Sequence, residues 1–393
     1  MTDVVERYLT LGLRLGKHVD GLVDAYYGPA ELAQAVDSEQ LLDPADLVAE
    51  ADSLAAAVQT AALDAQRVGW LGDQVRGLRV YAGVLAGEAR SYADEVEGCY
   101  GVRPEEWSED AYRDVHERLD ELLPGTGPLE TRYEAWRAEH AVQSTRMVPA
   151  LVALAEVLRA RTSRFVELPA GEALVIEEVH DEPWWAFNYF LGDLRSRVVM
   201  NVDQLTTASD LVMLASHEGY PGHHTEHALK EQLLIRDGGR FEEAIQLVPT
   251  PQAVVSEGIA ETGLEIILDD ELEHELVTVL EAQGLNADLR RATAISKARR
   301  PLRRMGLDAA LLVHEHGASI DVAQAHVERW GLGTAAQAAH TVRFVTDPTW
   351  RAYAITYSAG QELCGAYAAG DPARFRTLLT QQVRVADLLS TNT

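Results

Sequence analysis

Cysteine is nearly absent: the 393-residue chain carries only Cys99 and Cys364, far apart in sequence. A disulfide-stapled scaffold is thereby excluded, and both side chains read as buried thiols of a reducing compartment. Positive charge is also scarce. Lys and Arg number 34 against 62 Asp and Glu, a formal net charge of -28. Such a chain repels nucleic acid and anionic membranes. No uncharged apolar run reaches the roughly 18 residues that a membrane span needs. The opening MTDVVERYLTLGLRLGKHVD has no basic lead and carries acids early, unlike a signal peptide. The expected compartment is the cytoplasm. With 47% apolar and 24% charged residues, the composition excludes wholesale disorder and allows a large core.

What is present is helical periodicity. Apolar residues recur at three and four along most of the chain, as in Val4, Tyr8, Leu11 and Leu15. LPGTGP (123–128) is the clearest break. A long helical stretch over 129–165 follows, which Pro149 should kink or split. Further helices are expected near 252–269, 271–283, 288–316, 319–330, 334–345 and 371–388, with one separator at 284–286. ALVIEEV (173–179) and SRVVMNV (196–202) are short and β-branched and read as a small hairpin or sheet, with WWAFNYF between them. The expected architecture is mainly α, with a small β element (173–202) near the cleft. An N-terminal helical part (1–125) and a part holding the chemistry (126–393) can share one core.

The chemistry concentrates in SDLVMLASHEGYPGHHTEHALKE (209–231). Ser209 or Asp210 can cap this helix. In H-E-x-x-H helices, two histidines four apart bind zinc and the glutamate between them holds the attacking water. Here Pro221 occupies the fourth position after His217. His224, seven residues on, would lie about 10.5 Å along a straight helix and about 20° out of phase, whereas His223 would be about 120° out of phase. Pro221 cannot donate to the carbonyl of His217, and Gly222 permits unusual dihedrals, so a bulge or break is expected. A bulge absorbing two residues would return His223 to the face of His217; both His223 and His224 remain candidates. His227 reads as a surface or outer residue and Glu226 as exposed. SEGIAETGLEI (256–266) offers Glu257, Glu261 and Glu265, four apart on one helix face, as sources of a third ligand. Three protein ligands would leave a fourth position open, with Glu218 as general base.

HEGYPGHH followed by SEGIAETGLE resembles the bacterial domain-of-unknown-function family 885, with its H-E-x-x-P-G-H-H helix and later E-G-x-A element. VDAYYGP (23–29), LDAALLVHEHGASIDVAQAHV (307–327) and VRFVTDPTWRAYAITYSAG (342–360) extend the resemblance over most of the chain. The resemblance implies a mostly helical zinc metallopeptidase of the gluzincin type. His217 and one of His223 or His224 would be ligands, Glu218 the base, Glu257 the third ligand, and Glu261 a residue orienting a histidine. The family's P-G-Q-A-x-S-Y pattern is altered here to PTWRAYAITY, with its tyrosine kept as Tyr357.

A phenol at Tyr357 can donate to the oxyanion formed when water attacks a carbonyl; Tyr353 reads as a core tyrosine. Arg351 and Arg343 can bind a substrate carboxylate or form structural ion pairs. The strand SRVVMNV could pair with an extended peptide, with Asn201 or His180 lining the pocket. The basic run KARRPLRR (297–304) should pair with acidic helices. The expected function is zinc-dependent cleavage of a peptide or amide bond. The alternatives are a catalytically silent metal-binding or structural protein of the same fold, and a metal-dependent hydrolase of a non-peptide ester or amide.

Overall fold

The computed structural model describes residues 1–391 except 183, 286 and 287; Asn286, part of the expected separator, lies outside them. The fold is mainly helical with two small sheets. Helix starts follow capping chemistry. Asp43, Asp64, Ser91, Ser108, Asp269, Ser319 and Thr334 each accept a hydrogen bond from a backbone N–H of the first turn. Among the described residues no helix is long and apolar enough to cross a membrane.

Several boundaries differ from expectation. The 129–165 stretch divides before Pro149, into helices Leu129–Glu139 and Ser144–Thr162, and Pro149 is accommodated inside the second. The 288–316 stretch divides at Pro301, where a 3-10 turn Arg300–Arg303 separates Leu289–Arg299 from Arg304–His314. The last stretch splits into Pro372–Thr380 and Val385–Thr391. The expected cap at Ser209 or Asp210 falls to Thr207, which forms a capping box with Asp210.

The sheets hold the larger corrections. Strand β1 is Val23–Tyr26, β2 Ala173–Val179, β3 Ala186–Gly192, β4 Arg195–Asn201 and β5 Ile245–Leu247. β2 and β4 are parallel neighbours rather than a hairpin, and β3, from the expected intervening segment, pairs antiparallel on the other side of β4. β4 is therefore the central strand, with both edges occupied and unable to accept a peptide. Among the described residues β3 pairs on one side only. β1 and β5, far apart in sequence, form a second antiparallel sheet (Val23↔Leu247, Tyr26↔Ile245) with a bulge between Val23 and Ala25.

The largest apolar core joins residues from Val4 to Leu388 and so crosses the expected boundary at 125/126. Within it the helices Pro251–Ile267 and Ala354–Ala368 cross at two glycines. A Cβ on Gly258 would sit 2.3 Å from the Gly360 carbonyl, and one on Gly360 would sit 2.4 Å from the Val254 carbonyl. Backbone meets backbone there, and the crossing sets Glu257 beside Tyr353. Gly258→Ala should push the two helices apart and destabilise the fold by about 3 kcal/mol, measured by denaturant unfolding; unchanged stability would refute the crossing. The basic run pairs with acids as expected: Arg300 with Glu265 at 3.0 Å, Arg304 with Glu362 at 3.0 Å, and Arg303 with Glu261.

Candidate metal centre

Pro221 removes a helical donor, and the chain answers with a wider turn. The helix Ala208–Leu214 passes into a π turn Ala215–Gly219, in which the Tyr220 N–H donates to the Ala215 carbonyl at 3.1 Å. The Gly222 N–H then donates to the Ser216 carbonyl at 2.9 Å, and a new helix starts at His223. Asn188 on β3 donates to the Glu218 carbonyl at 2.6 Å and ties the sheet to this turn. The widened turn and the break bring His223, not His224, back to His217, with ring centroids 4.8 Å apart.

Glu257, from the next long helix, completes the group. Ligand atoms of His217, His223 and Glu257 all lie within 4.8 Å of one another. Nε2 of His217 is 3.7 Å from Glu257 Oε2, and Nε2 of His223 is 3.8 Å from Glu257 Oε1. Tetrahedral zinc with bonds of about 2.0–2.2 Å separates its ligand atoms by about 3.3–3.6 Å, so the group would draw together to seat an ion. The observation that tests the fit is Glu257 itself. Only 7% exposed, it receives a hydrogen bond from the Tyr353 hydroxyl on Oε1 at 2.8 Å, while Oε2 is buried without a hydrogen-bond partner among the described residues. A buried carboxylate oxygen left bare costs roughly 1–3 kcal/mol or more, and a cation between the imidazoles would satisfy it.

Electrostatics point the same way. Burial pushes the Glu257 carboxyl up to about 7, with His217 and Tyr353 opposing. Burial also works against charge on His217, but Glu261, Glu218 and Glu257 outweigh it and raise the imidazole to about 9. Burial, reinforced by His217 and His227, holds His223 well below the ordinary imidazole value. Three carboxylates around one imidazole make a centre that attracts positive charge, as proton or metal ion. Glu261 Oε1 faces His217 Nδ1 at 3.4 Å, and despite burial Arg303 and His217 keep its carboxyl far below the usual range. Glu218 stands 4.0 Å from His217 Nε2, its carboxyl raised by burial and then by Asp24 and Glu261 against the pull of His217. The rings of Tyr353 and Tyr357 meet edge to face at 5.6 Å. Tyr353 is engaged with Glu257, whereas the Tyr357 hydroxyl has no hydrogen-bond partner among the described residues. Burial and then Glu257 raise the Tyr357 phenol well above its ordinary value.

Other candidates are drawn elsewhere. His224 is fully buried, with Nδ1 2.8 Å from Ser196 Oγ and Nε2 2.7 Å from Glu172 Oε2. Both nitrogens are engaged in tying the helix to the sheet, so it is not a ligand. Glu172 also accepts from Tyr220 and Arg159; burial opposes its ionisation, yet these partners hold it down to about 2. Asn201 donates to the Glu182 carbonyl at 2.7 Å and accepts from the Asp203 N–H, so it closes a turn rather than lining a pocket. His180 is exposed and paired with Asp203 at 2.8 Å. Arg351 forms an ion pair with Glu95, its Nε 2.9 Å from Oε1. Arg343 is exposed, and no ion pair or side-chain hydrogen bond joins it to the centre among the described residues. Glu226, expected to be exposed, is buried, and of the two places expected for His227, at the surface or behind the ligands, burial leaves the second, its ring stacked 6.0 Å from that of His223.

Sequence reasoning missed Tyr353 as the partner of Glu257, and it missed Asp24. Asp24 sits at the β1 bulge, solvent-accessible and without an ion pair among the described residues. Surrounding protein and then Glu257 push its carboxyl up to about 6. Beside His217 and Glu261 lies a cavity of about 60 Å³, walled by apolar residues such as Val212, Leu264 and Leu276 together with the charged Glu265, Glu273 and Arg300.

No family model matches the chain, and no curated protein matches it. Among solved structures it is similar to a "putative lipoprotein" from Colwellia psychrerythraea, at TM-score 0.51 and 14% identity, over 92% of this chain and 68% of that one. A "putative lipoprotein of unknown function" from Shewanella oneidensis aligns at TM-score 0.49 and 12% identity, over 91% of this chain and 75% of that one. At such identities the likeness to the Colwellia protein speaks for the fold alone.

Proposed function

We propose that this protein is a zinc-dependent hydrolase, a metallopeptidase that cleaves peptide or amide bonds. The observation that carries the reading is the buried carboxylate of Glu257, set between two imidazoles that the Pro-Gly break brings together: Oε2, without a hydrogen-bond partner among the described residues, lies 3.7 Å from His217 Nε2, and Oε1 lies 3.8 Å from His223 Nε2. His217, His223 and Glu257 would hold the ion. A bound zinc ion supplies Lewis acidity and lowers the pKa of an attacking water. Glu218, its carboxyl raised by burial, would accept the water's proton and return it to the leaving nitrogen. Tyr357, its hydroxyl unengaged, donates to the oxyanion. The edge of β3 that is unpaired among the described residues, next to Glu218 through Asn188, offers main-chain pairing to an extended substrate. The resemblance of HEGYPGHH and SEGIAETGLE to family 885 accords with this assignment.

Elemental analysis tests it. Wild type should bind one zinc per chain, and His217→Ala and Glu257→Ala should lose it, with hydrolysis of a peptide library falling in parallel. No stoichiometric zinc in the wild type sinks the reading. Zinc without turnover across the library would mark a catalytically silent metal protein.

A further inference from the structure

A buried polar chain runs away from the candidate centre behind His223. Nδ1 of His223 lies 3.2 Å from Ser256 Oγ. Ser256 Oγ donates to Glu226 Oε2 at 2.6 Å, and Glu226 Oε1 accepts from Lys230 Nζ at 2.7 Å. Glu226 and Lys230 are 1% and 4% exposed, so bulk water does not compete for these contacts. Glu226 and Lys230 lie one helical turn apart, and Ser256 precedes Glu257, so the chain links the two segments that carry the candidate ligands.

Proton counting fixes the direction of every bond. The Lys230 ammonium has only donors, so Glu226 accepts from it as a carboxylate. Glu226 can then only accept from Ser256. A serine hydroxyl has one proton, and at 2.6 Å that proton belongs to the Glu226 contact. Ser256 therefore has only a lone pair for His223, and Nδ1 of His223 must carry the hydrogen. A neutral imidazole protonated at Nδ1 presents its lone pair at Nε2, the atom that faces Glu257.

We infer that Ser256, with Glu226 and Lys230 behind it, is a positioning residue that locks His223 in the Nδ1–H tautomer and aims Nε2 at the metal centre. The inference rests on the metal reading for its purpose, but the tautomer stands on this geometry alone. Outer hydrogen-bond partners of ligand histidines typically contribute 10–100-fold to metal affinity.

The test uses the full-length chain labelled with ¹⁵N-histidine, stripped of metal, with His223→Gln identifying the His223 ring signals. Ring nitrogen shifts in the wild type should report the Nδ1–H tautomer. Ser256→Ala should mix the tautomers and weaken zinc binding about 10–100-fold, measured by competition with a chromophoric chelator. Ser256→Thr, which keeps the hydroxyl, should restore both readouts and shows that loss in the alanine variant is not misfolding. An Nε2–H tautomer in the wild type, or wild-type zinc affinity in Ser256→Ala, overturns the inference. A wild type that binds no zinc overturns the metal reading, and the ring shifts still decide the tautomer.

Discussion

Replacing Glu218 with Gln is expected to lower turnover by about 10²–10⁴-fold, the usual contribution of a general base, while leaving one zinc bound per chain. The amide keeps the shape of the side chain but cannot accept the water's proton. Glu218 is the base candidate because of where the π turn puts it. Its carboxyl stands 4.0 Å from His217 Nε2, and burial, with Asp24 and Glu261 adding to it, raises its proton affinity above that of a surface glutamate. The metal should survive because none of the three proposed ligands depends on the Glu218 carboxyl. His217 faces Glu261 through Nδ1, His223 contacts Ser256, and Glu257 accepts from Tyr353. Metal content and single-turnover hydrolysis, measured on one preparation, separate the outcomes. Zinc retained with wild-type turnover refutes the base. Zinc lost makes Glu218 a holder of the ion instead.

How far the sequence disclosed this centre depends on the range of each interaction. The histidine cluster and the carboxylate stripe after it were legible because each is a local spacing. The need for a departure from straight helix at Pro221 was legible too, since a missing donor follows from residue type. The choice between His223 and His224 was not. It turns on a π turn over Ala215–Gly219, and on Ser196 and Glu172, which hold His224 from the sheet side. Arg351 could be read as a substrate anchor because its partner, Glu95, lies 256 residues away. The parallel pairing of β2 with β4 was hidden for the same reason: alternation marks a strand but not its neighbour. Glu226 and Lys230 have the spacing of an ordinary surface pair, and only tertiary packing reveals that they are buried. Tyr353 gave one signal, its four-residue offset from Tyr357, which places both on one face. Asp24 gave none beyond its place in VDAYYGP.

Gly222→Ala is expected to abolish zinc binding and to destabilise the metal-free protein by about 3 kcal/mol or more. A Cβ at this position would sit 2.0 Å from the His217 carbonyl oxygen and 2.4 Å from that of Ser216. Neither atom can yield, because both belong to the backbone of the turn that carries a candidate ligand. The clash is therefore relieved only by opening the turn or by swinging His223 away from His217. Either movement breaks the 2.9 Å bond from the Gly222 N–H to Ser216, and with it the approach of the two imidazoles. Pro221 contributes differently. It removes a donor, whereas Gly222 supplies the space in which the carbonyls of Ser216 and His217 approach the chain again. Chelator competition and denaturant unfolding of the alanine variant check both parts. An alanine variant with wild-type zinc affinity and unchanged unfolding midpoint would show that the break does not shape the centre, and the geometric basis for preferring His223 would fall with it.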